Sequence, residues 1–180
     1  MHQTPYVHRM FRDVFTGIDT RQKKAIPINE LQTLLNEDPQ SDKLRRTQAI
    51  ANLLFLFCGM PFVDLAYLEK SNLEGNMLKY NRAKTGIPMN VEILDSAATI
   101  ISQLRNKHTT VLPEHPDYLF YILSGKNKRS DEAGYKEYQS ALRCFNNDLK
   151  SLARKLCIRS SVTSYTFRHK WEYHKNNTIN

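Results

Sequence analysis

The residues best suited to chemistry lie together near the end of the 180-residue chain, at positions 163–171. This stretch combines a guanidinium group, an imidazole and aromatic rings. Positions three apart lie on one face of a helix, so Tyr165 and Arg168 are expected to point the same way, with His169 beside them. A planar guanidinium matches the oxygens of a phosphate group. We therefore predict a phosphate contact here; a packed helix with its charges in water is the structural alternative.

A second candidate cation, Lys84, lies far upstream in a segment that alternates as strands do. Residues 73–80 predict a strand, a tight turn and a second strand, and residues 88–93 predict a third. We expect the second strand to continue to Lys84. Residues two apart in a strand face the same side, so Tyr80, Arg82 and Lys84 should share a face. A lysine at a hairpin tip is commonly a solvated surface residue, but beside an arginine it can also reach a phosphate.

Most of the remaining chain has the apolar periodicity of α-helices. The first predicted helix begins within 27–31 and ends at 38–39. Further helices are predicted at 42–57, from 61 onward, and at 95–107, 135–157 and 163–171. The helix at 42–57 is the most apolar and should be the central core helix. Asn29 or the preceding turn is expected to cap the first helix, and Asp95 or Ser96 the helix at 95–107, in which Ala98 is expected to face inward. Residues 118–123 are buried extended chain or a helical turn, and 124–134 an exposed, mobile loop.

These elements predict a mainly α-helical fold with a small three-stranded antiparallel sheet, in the α+β class. Residues 1–25 have no sustained period and indicate a linker or the remnant of a preceding domain, with the main domain at 26–180. The net charge of +8 favours a polyanionic partner, nucleic acid before an anionic membrane surface. The longest apolar run, 53–58, is too short to span a bilayer. No secretory signal is visible, so a cytoplasmic location is expected.

Cysteine and histidine spacing favours no metal site. Three cysteines, Cys58, Cys144 and Cys157, occur at unrelated spacings and are expected to be buried thiols in a reducing compartment. No pair of cysteines or histidines has the spacing of a zinc site.

Read in order, four segments resemble the catalytic domain of tyrosine recombinases, or phage-type integrases, in the branch found on mobile elements of Bacteroides-like bacteria. Residues 57–68 resemble the first active-site segment, and 80–86 resemble the hairpin with the catalytic lysine. Residues 118–120 resemble the buried run before the long helix, and 163–171 resemble the segment with the second arginine. The resemblance covers about residues 25–171. It implies the recombinase catalytic-domain fold.

The resemblance also implies a chemistry. A tyrosine attacks a phosphate of double-stranded DNA and leaves a covalent phosphotyrosine, with no metal or cofactor. Arginines stabilise the charge that develops on the phosphoryl oxygens. Lys84 matches the acid that protonates the leaving oxygen, Arg168 the second arginine, His169 the histidine after it, and Asp64 a carboxylate that supports the first segment. Lys170 and the exposed Arg45 and Arg46 are further candidate DNA contacts.

Several positions depart from the family. The first arginine position is Pro61, and the first histidine position is Tyr165. Our hypothesis is that Arg82 supplies the missing positive charge. Tyr173 lies too close to Arg168 to match the nucleophile, and the chain ends at Asn180. The expectation is therefore that this chain lacks the nucleophile segment and the preceding DNA-clamping domain, is inactive alone, and is monomeric in solution.

Two other functions stay open on the sequence. The first is a DNA-binding module that keeps the phosphate-facing groove but has no catalytic activity. The second is an unrelated helical interaction protein whose surface lysines account for the net charge.

Overall fold

The computed structural model describes residues 26–105, 117–127 and 129–169. Five α-helices occur in these ranges: α1 is Ile28–Asn36, α2 is Asp42–Leu56, α3 is Phe62–Ala66, α4 is Asp95–Leu104 and α5 is Glu132–Lys155. A 3-10 turn, Lys70–Asn72, precedes three strands: β1 is Leu73–Glu74, β2 is Met77–Asn81 and β3 is Pro88–Glu92. The predicted fold, mainly helical with one small sheet, is confirmed. The predictions for 1–25, Lys170 and Tyr173 fall outside the described residues.

Helix α2 is the centre of the core, as predicted. It packs against α1, α4 and α5. Its buried side chains recur at three and four residues, which gives the apolar stripe of a core helix, and include Ile50, Leu53 and Leu54. Leu53 and Leu54 are completely shielded from solvent. Burying a leucine stabilises the fold by about 1.5–3 kcal/mol relative to leaving it in water.

The sheet is antiparallel with strand order β1-β2-β3. Leu78 of β2 pairs with Leu73 of β1 and with Val91 of β3. Leu78, Tyr80 and Val91 are buried, so one face of the sheet belongs to the core, as the period of two requires. Gly75 has a φ of +62° in the β1–β2 turn, a conformation in which glycine meets no steric penalty.

The second strand is shorter than predicted. It ends at Asn81, and the chain turns at once, because the carbonyl of Arg82 accepts hydrogen bonds from the amides of Thr85 and Gly86 at 3.3 and 2.8 Å. Gly86 has a φ of +68°. Arg82 and Lys84 therefore belong to a turn rather than a strand. The prediction that Tyr80, Arg82 and Lys84 share a strand face is wrong.

Other local predictions need correction. Neither Asn29 nor Asp95 or Ser96 caps its helix: Pro27 and Leu94 stand at those positions, and neither helix has a side-chain cap. In α4 the residue that faces inward is Ala97, not Ala98. Helix α5 begins at Glu132, three residues before the predicted start.

The cysteine prediction is wrong as well, since Cys58, Cys144 and Cys157 are all exposed. Cys58 and Cys157 have positive φ angles just beyond the ends of α2 and α5. Cys144 precedes the buried Phe145 on α5 but faces outward. Apolar neighbours along the chain therefore did not identify the side of the backbone on which each thiol lies.

Of the predicted segment 118–123, residues 118–120 are buried extended chain, one of the two alternatives, and the chain turns at 121–122, where Tyr121 is exposed. The Leu119 amide donates to the Leu68 carbonyl at 2.7 Å, and Phe120 forms a β-bridge with Arg105. The following loop is tethered: Glu137 of α5 accepts hydrogen bonds from the Ser124 amide and the Asn127 side chain, at 2.6 and 3.0 Å. In the described ranges, no helix combines the length and apolarity needed to cross a membrane.

The central position of α2 gives the first prediction. Leu53→Ala removes a completely buried side chain and leaves a cavity, so it should lower the free energy of unfolding by about 2–5 kcal/mol. Leu94→Ala is the matched control, because Leu94 is 52% exposed, and its effect should stay within about 0.5 kcal/mol. Urea denaturation of both variants measures the difference. Equal losses at the two positions would contradict the assignment of α2 as the core helix.

Candidate nucleic-acid interface

A buried carboxylate connects α3 to the β2–β3 turn. Pro61 occupies the N-cap of α3 with a φ of −62°, and Asp64 lies in the middle of the helix. The Asp64 side chain is buried, and its Oδ1 accepts a hydrogen bond from the Ala83 amide at 2.9 Å. Ala83 stands between Arg82 and Lys84. The residue predicted to support the first segment therefore fixes the turn that carries both candidate cations.

The electrostatics of Asp64 follow from its burial. Desolvation raises the pKa of the Asp64 carboxyl, while the Ala83 amide and the positive charges of Arg82 and Arg129 lower that pKa to a smaller extent. The second oxygen, Oδ2, is buried and has no hydrogen-bond partner among the described residues. An unpaired buried polar atom costs free energy, so the carboxylate is poised to accept a further donor.

Two guanidinium groups act on this carboxylate, and a lysine follows its hydrogen-bond partner Ala83 in the chain. Lys84 lies in the exposed turn, directly after Ala83, and Arg82 is half-buried. The guanidinium of Arg129 stands over the Tyr67 ring, 4.9 Å from the ring centroid. We call this group the Asp64 cluster; it consists of Asp64, Arg82, Lys84 and Arg129. Even when the neighbouring carboxylate of Glu69 is counted with Asp64, three cations leave an excess of one positive charge.

A cavity of about 220 Å³ opens at this cluster. It is lined by the carboxylates of Asp64 and Glu69, the guanidinium of Arg129, and Tyr67 and Tyr80. Burial raises the pKa of Tyr80 to about 12, so its hydroxyl stays protonated at neutral pH and is a hydrogen-bond donor rather than a phenolate. In the part of the chain that the structure describes, no group of histidine, cysteine and acidic side chains is placed to hold a metal ion.

The Arg168 segment is anchored on α5. The Ser164 amide donates to Asn146 Oδ1 at 2.8 Å, and the Thr163 amide donates to Thr166 Oγ1 at 2.9 Å. The hydrogen bond to Thr166 Oγ1 satisfies the Thr163 amide, which lies just before the helical turn that begins at Thr166. Phe167 is fully buried in the core. The segment is therefore fixed on both sides of Tyr165.

The three candidate catalytic residues of this segment occupy different environments. Tyr165 is 53% exposed and lies just before the helical turn. Its ring meets the His169 ring edge to face, with centroids 4.4 Å apart. Arg168 is half-buried. Tyr165 and His169 thus form a pair four residues apart. These contacts do not test whether Tyr165 and Arg168 point the same way, which stays a prediction.

The two halves of the candidate site are attached to two helices that pack on each other: the Lys84 turn to α3 and the Arg168 segment to α5. Phe62 of α3 stacks on Phe145 of α5, with ring centroids 4.7 Å apart and planes 14° from parallel. Phe62 lies two residues before Asp64, and Phe145 directly precedes Asn146, the residue that holds Ser164. The contact between α3 and α5 therefore sets the position of the Lys84 turn relative to the Arg168 segment.

The other predicted DNA contacts lie apart from the Asp64 cluster. Arg45 pairs with Asp38 at 2.9 Å and with Asp42 at 2.7 Å. Arg46 donates to the Tyr121 carbonyl at 2.5 Å and lines a different cavity, of about 260 Å³, between α2 and α5. Arg45 already has carboxylate partners, so its contribution to binding an anion is reduced. Lys170 lies outside the described residues.

The sequence interpretation missed Arg129 and Tyr67. Arg129 falls in the stretch predicted to be an exposed, mobile loop, and only its packing on a tyrosine far away in the chain brings it to the cluster. The one available signal was the basic composition of residues 126–129. Composition shows that cations are present but not where the loop docks.

Comparisons with known proteins support the fold. No known protein-family profile matches the chain, and no curated protein matches it. Among solved structures, the chain is similar to XerA recombinase, with a TM-score of 0.57 and 19% sequence identity. The similarity covers 86% of this chain and 50% of that one, so the chain spans half the length of XerA recombinase. At this level of identity the likeness establishes a shared fold.

The raised pKa of Asp64 predicts a pH dependence of stability. The folded carboxyl binds its proton more readily than the unfolded one, whose ordinary pKa is 3.8. Its stabilising contribution is therefore present below the unfolded pKa and is lost as the pH rises through the folded pKa. Asp64→Asn removes this titration. The free energy of unfolding of the variant minus that of the parent should therefore increase with pH, from the unfolded pKa of Asp64 up through its raised folded pKa.

Asp38→Asn is a control of opposite sign. The hydrogen bond from Arg45 lowers the pKa of Asp38, so the parent gains stability from this group as the pH rises. The free energy of unfolding of Asp38→Asn minus that of the parent should therefore decrease over the same rise in pH. Chemical denaturation at a series of pH values measures both. A difference for Asp64→Asn that stays flat, or falls as the pH rises, would show that the carboxyl is not desolvated as described.

Proposed function

We propose that the chain binds the phosphate backbone of double-stranded DNA and is the catalytic-like domain of a site-specific recombinase. The observation that supports this most directly is the hydrogen bond from the Ala83 amide to Asp64, because it anchors the turn that carries Arg82 and Lys84. The shared fold with XerA recombinase agrees with the same class of function. The net charge of +8 also favours a polyanionic partner.

The proposed chemistry is phosphoryl transfer between a deoxyribose oxygen and a tyrosine. Arg168 would neutralise charge on the non-bridging oxygens, with His169 beside it, and Lys84 would give a proton to the departing deoxyribose oxygen. Such groups act by stabilising charge that develops in the transition state and by general acid catalysis. The nucleophilic tyrosine is assigned to none of the described residues.

Arg82 is proposed to supply the charge that the first arginine supplies in the family. Pro61 begins α3 at that position and has no charge. Arg82 lies next to Ala83, and its positive charge already acts on Asp64. A guanidinium offers a planar pair of N–H donors, which favours a two-point contact with phosphate oxygens.

A DNA-binding module without strand transfer is the second candidate. Two observations favour it: the uncharged Pro61 at the start of α3, and the exposed Tyr165 in place of a histidine. A nicked DNA substrate that traps covalent intermediates separates the two candidates. A protein–DNA adduct through tyrosine indicates strand transfer, and salt-sensitive binding without an adduct indicates the module.

The Lys84 turn predicts a specific salt dependence. Lys84→Ala should weaken binding to duplex DNA and reduce the slope of log K against log salt concentration by about 0.9, the value for one lost phosphate contact. Lys79→Ala is the matched control, since Lys79 lies on the same hairpin but is paired with Glu74 at 2.5 Å. Fluorescence anisotropy at several salt concentrations measures both slopes. Identical slopes for the two variants would exclude Lys84 as a specific phosphate contact.

Arg82 is tested in the same titration. Arg82→Ala should reduce the slope by about 0.9 as well, because the proposed contact is to a phosphate and not to a base. Arg82→Lys keeps the charge and should retain most of the slope. If the alanine variant kept the parent slope while Lys84→Ala lost it, Arg82 would be a structural neighbour of Asp64 and no part of the interface.

A further inference from the structure

Arg129 is held in a defined position although it is exposed and lies in a loop. Glu137 of α5 fixes the start of this loop through Ser124 and Asn127. The Arg129 guanidinium then stands over the Tyr67 ring. Tyr67 ends α3, and its hydroxyl donates to the Gly134 carbonyl of α5 at 3.4 Å. The ring beneath Arg129 is thus fixed to both helices on which the candidate site is built.

A guanidinium in a cation–π contact uses no N–H donor for a carboxylate, so its N–H groups stay available to an anion. No hydrogen bond or ion pair to another described residue occupies those groups in Arg129. Several other cations are already paired: Lys43 with Asp148, Lys70 with Asp117 and Lys136 with Glu132, at 2.6 to 2.7 Å. Arg129 therefore retains its capacity to bind an anion.

The surroundings of Arg129 favour a phosphate as that anion. Asp64 lines the same cavity of about 220 Å³, and the charges of Arg82 and Arg129 both act on its carboxyl group. Glu69 also lines this cavity, so two carboxylates face the two guanidinium groups and the adjacent Lys84, and one positive charge remains uncancelled. An incoming phosphate would supply the missing negative charge, and a planar fork of N–H donors matches its oxygens.

We propose that Arg129 is a DNA-phosphate contact, supplied by the loop before α5 to the cavity that Asp64 and Tyr67 line. This inference rests on the proposed function, since it assigns a residue to the same interface. Ordering by Tyr67 and Glu137 lowers the entropic cost of the contact, because a side chain that is already positioned loses little freedom on binding.

The test is a salt titration of duplex DNA binding with Arg129→Ala and a matched control, Lys126→Ala. Lys126 is an exposed cation of the same loop. Arg129→Ala should reduce the log–log slope by about 0.9 and weaken binding equally for DNA of different sequences. Lys126→Ala should leave the slope near that of the parent. Arg129→Lys keeps the charge and should restore most of the slope.

The outcomes separate this inference from the proposed function. If Lys84→Ala lowers the slope while Arg129→Ala does not, or if Lys126→Ala lowers it as much as Arg129→Ala, the assignment of Arg129 is wrong and the interface stands. If the parent shows no salt-dependent binding, both fail. Thermal unfolding shows whether Arg129→Ala is folded. If that variant is unfolded, Arg129→Gln takes its place, because it removes the charge but keeps most of the side-chain length.

Discussion

The hydrogen bond between the Asp64 carboxylate and the Ala83 amide is the constraint on which the rest of the site depends. It joins a helix to a turn that is otherwise attached only through its strands. Without it, the β2–β3 turn would project from a three-stranded sheet with little to define its orientation. The carboxylate is desolvated to make this bond, and its other oxygen remains without a partner among the described residues. A buried charge of this kind is expensive to maintain, and such groups cluster at functional sites.

The fold supplies what the carboxylate needs in order to stay buried. Helix α3 is short and could not hold its own position, but Phe62 stacks on Phe145 of α5 and Leu65 is completely buried. Helix α5 is in turn packed against α2. Asp64 is thus carried by a helix that is clamped against the core. Because the Ser164 amide is held by Asn146, next to Phe145 in the chain, the same packing also determines where the Arg168 segment begins.

The sequence was informative where one physical effect dominates over several residues. The predictions of the apolar stripe of α2 and of the alternating pattern of the sheet are confirmed, because burial acts on every turn of the helix and on every second residue of a strand. Predictions failed where a single local interaction decides. The second strand ends at Asn81 because the Arg82 carbonyl accepts two amides of the turn, which no alternation pattern reveals. Arg129 was missed for the opposite reason: its partner Tyr67 is remote in the chain, and only the packing of α3 and α5 brings the loop over that ring.

The distribution of paired and unpaired cations carries the functional argument further than the net charge alone. Surface ion pairs contribute little to stability, about 0–1 kcal/mol each, yet each one cancels a positive charge locally. Pairs such as Lys43–Asp148, Lys79–Glu74 and Arg45–Asp38 therefore remove several basic residues from the field that a DNA duplex would meet. At the Asp64 cluster three cations stand against two carboxylates, the desolvated Asp64 and the Glu69 of the adjoining cavity. Phosphate binding depends on the charge that remains uncancelled within a Debye length, about 10 Å at 0.1 M salt. The excess at this cluster, rather than the total of +8, is what makes this surface the strongest candidate for the DNA backbone.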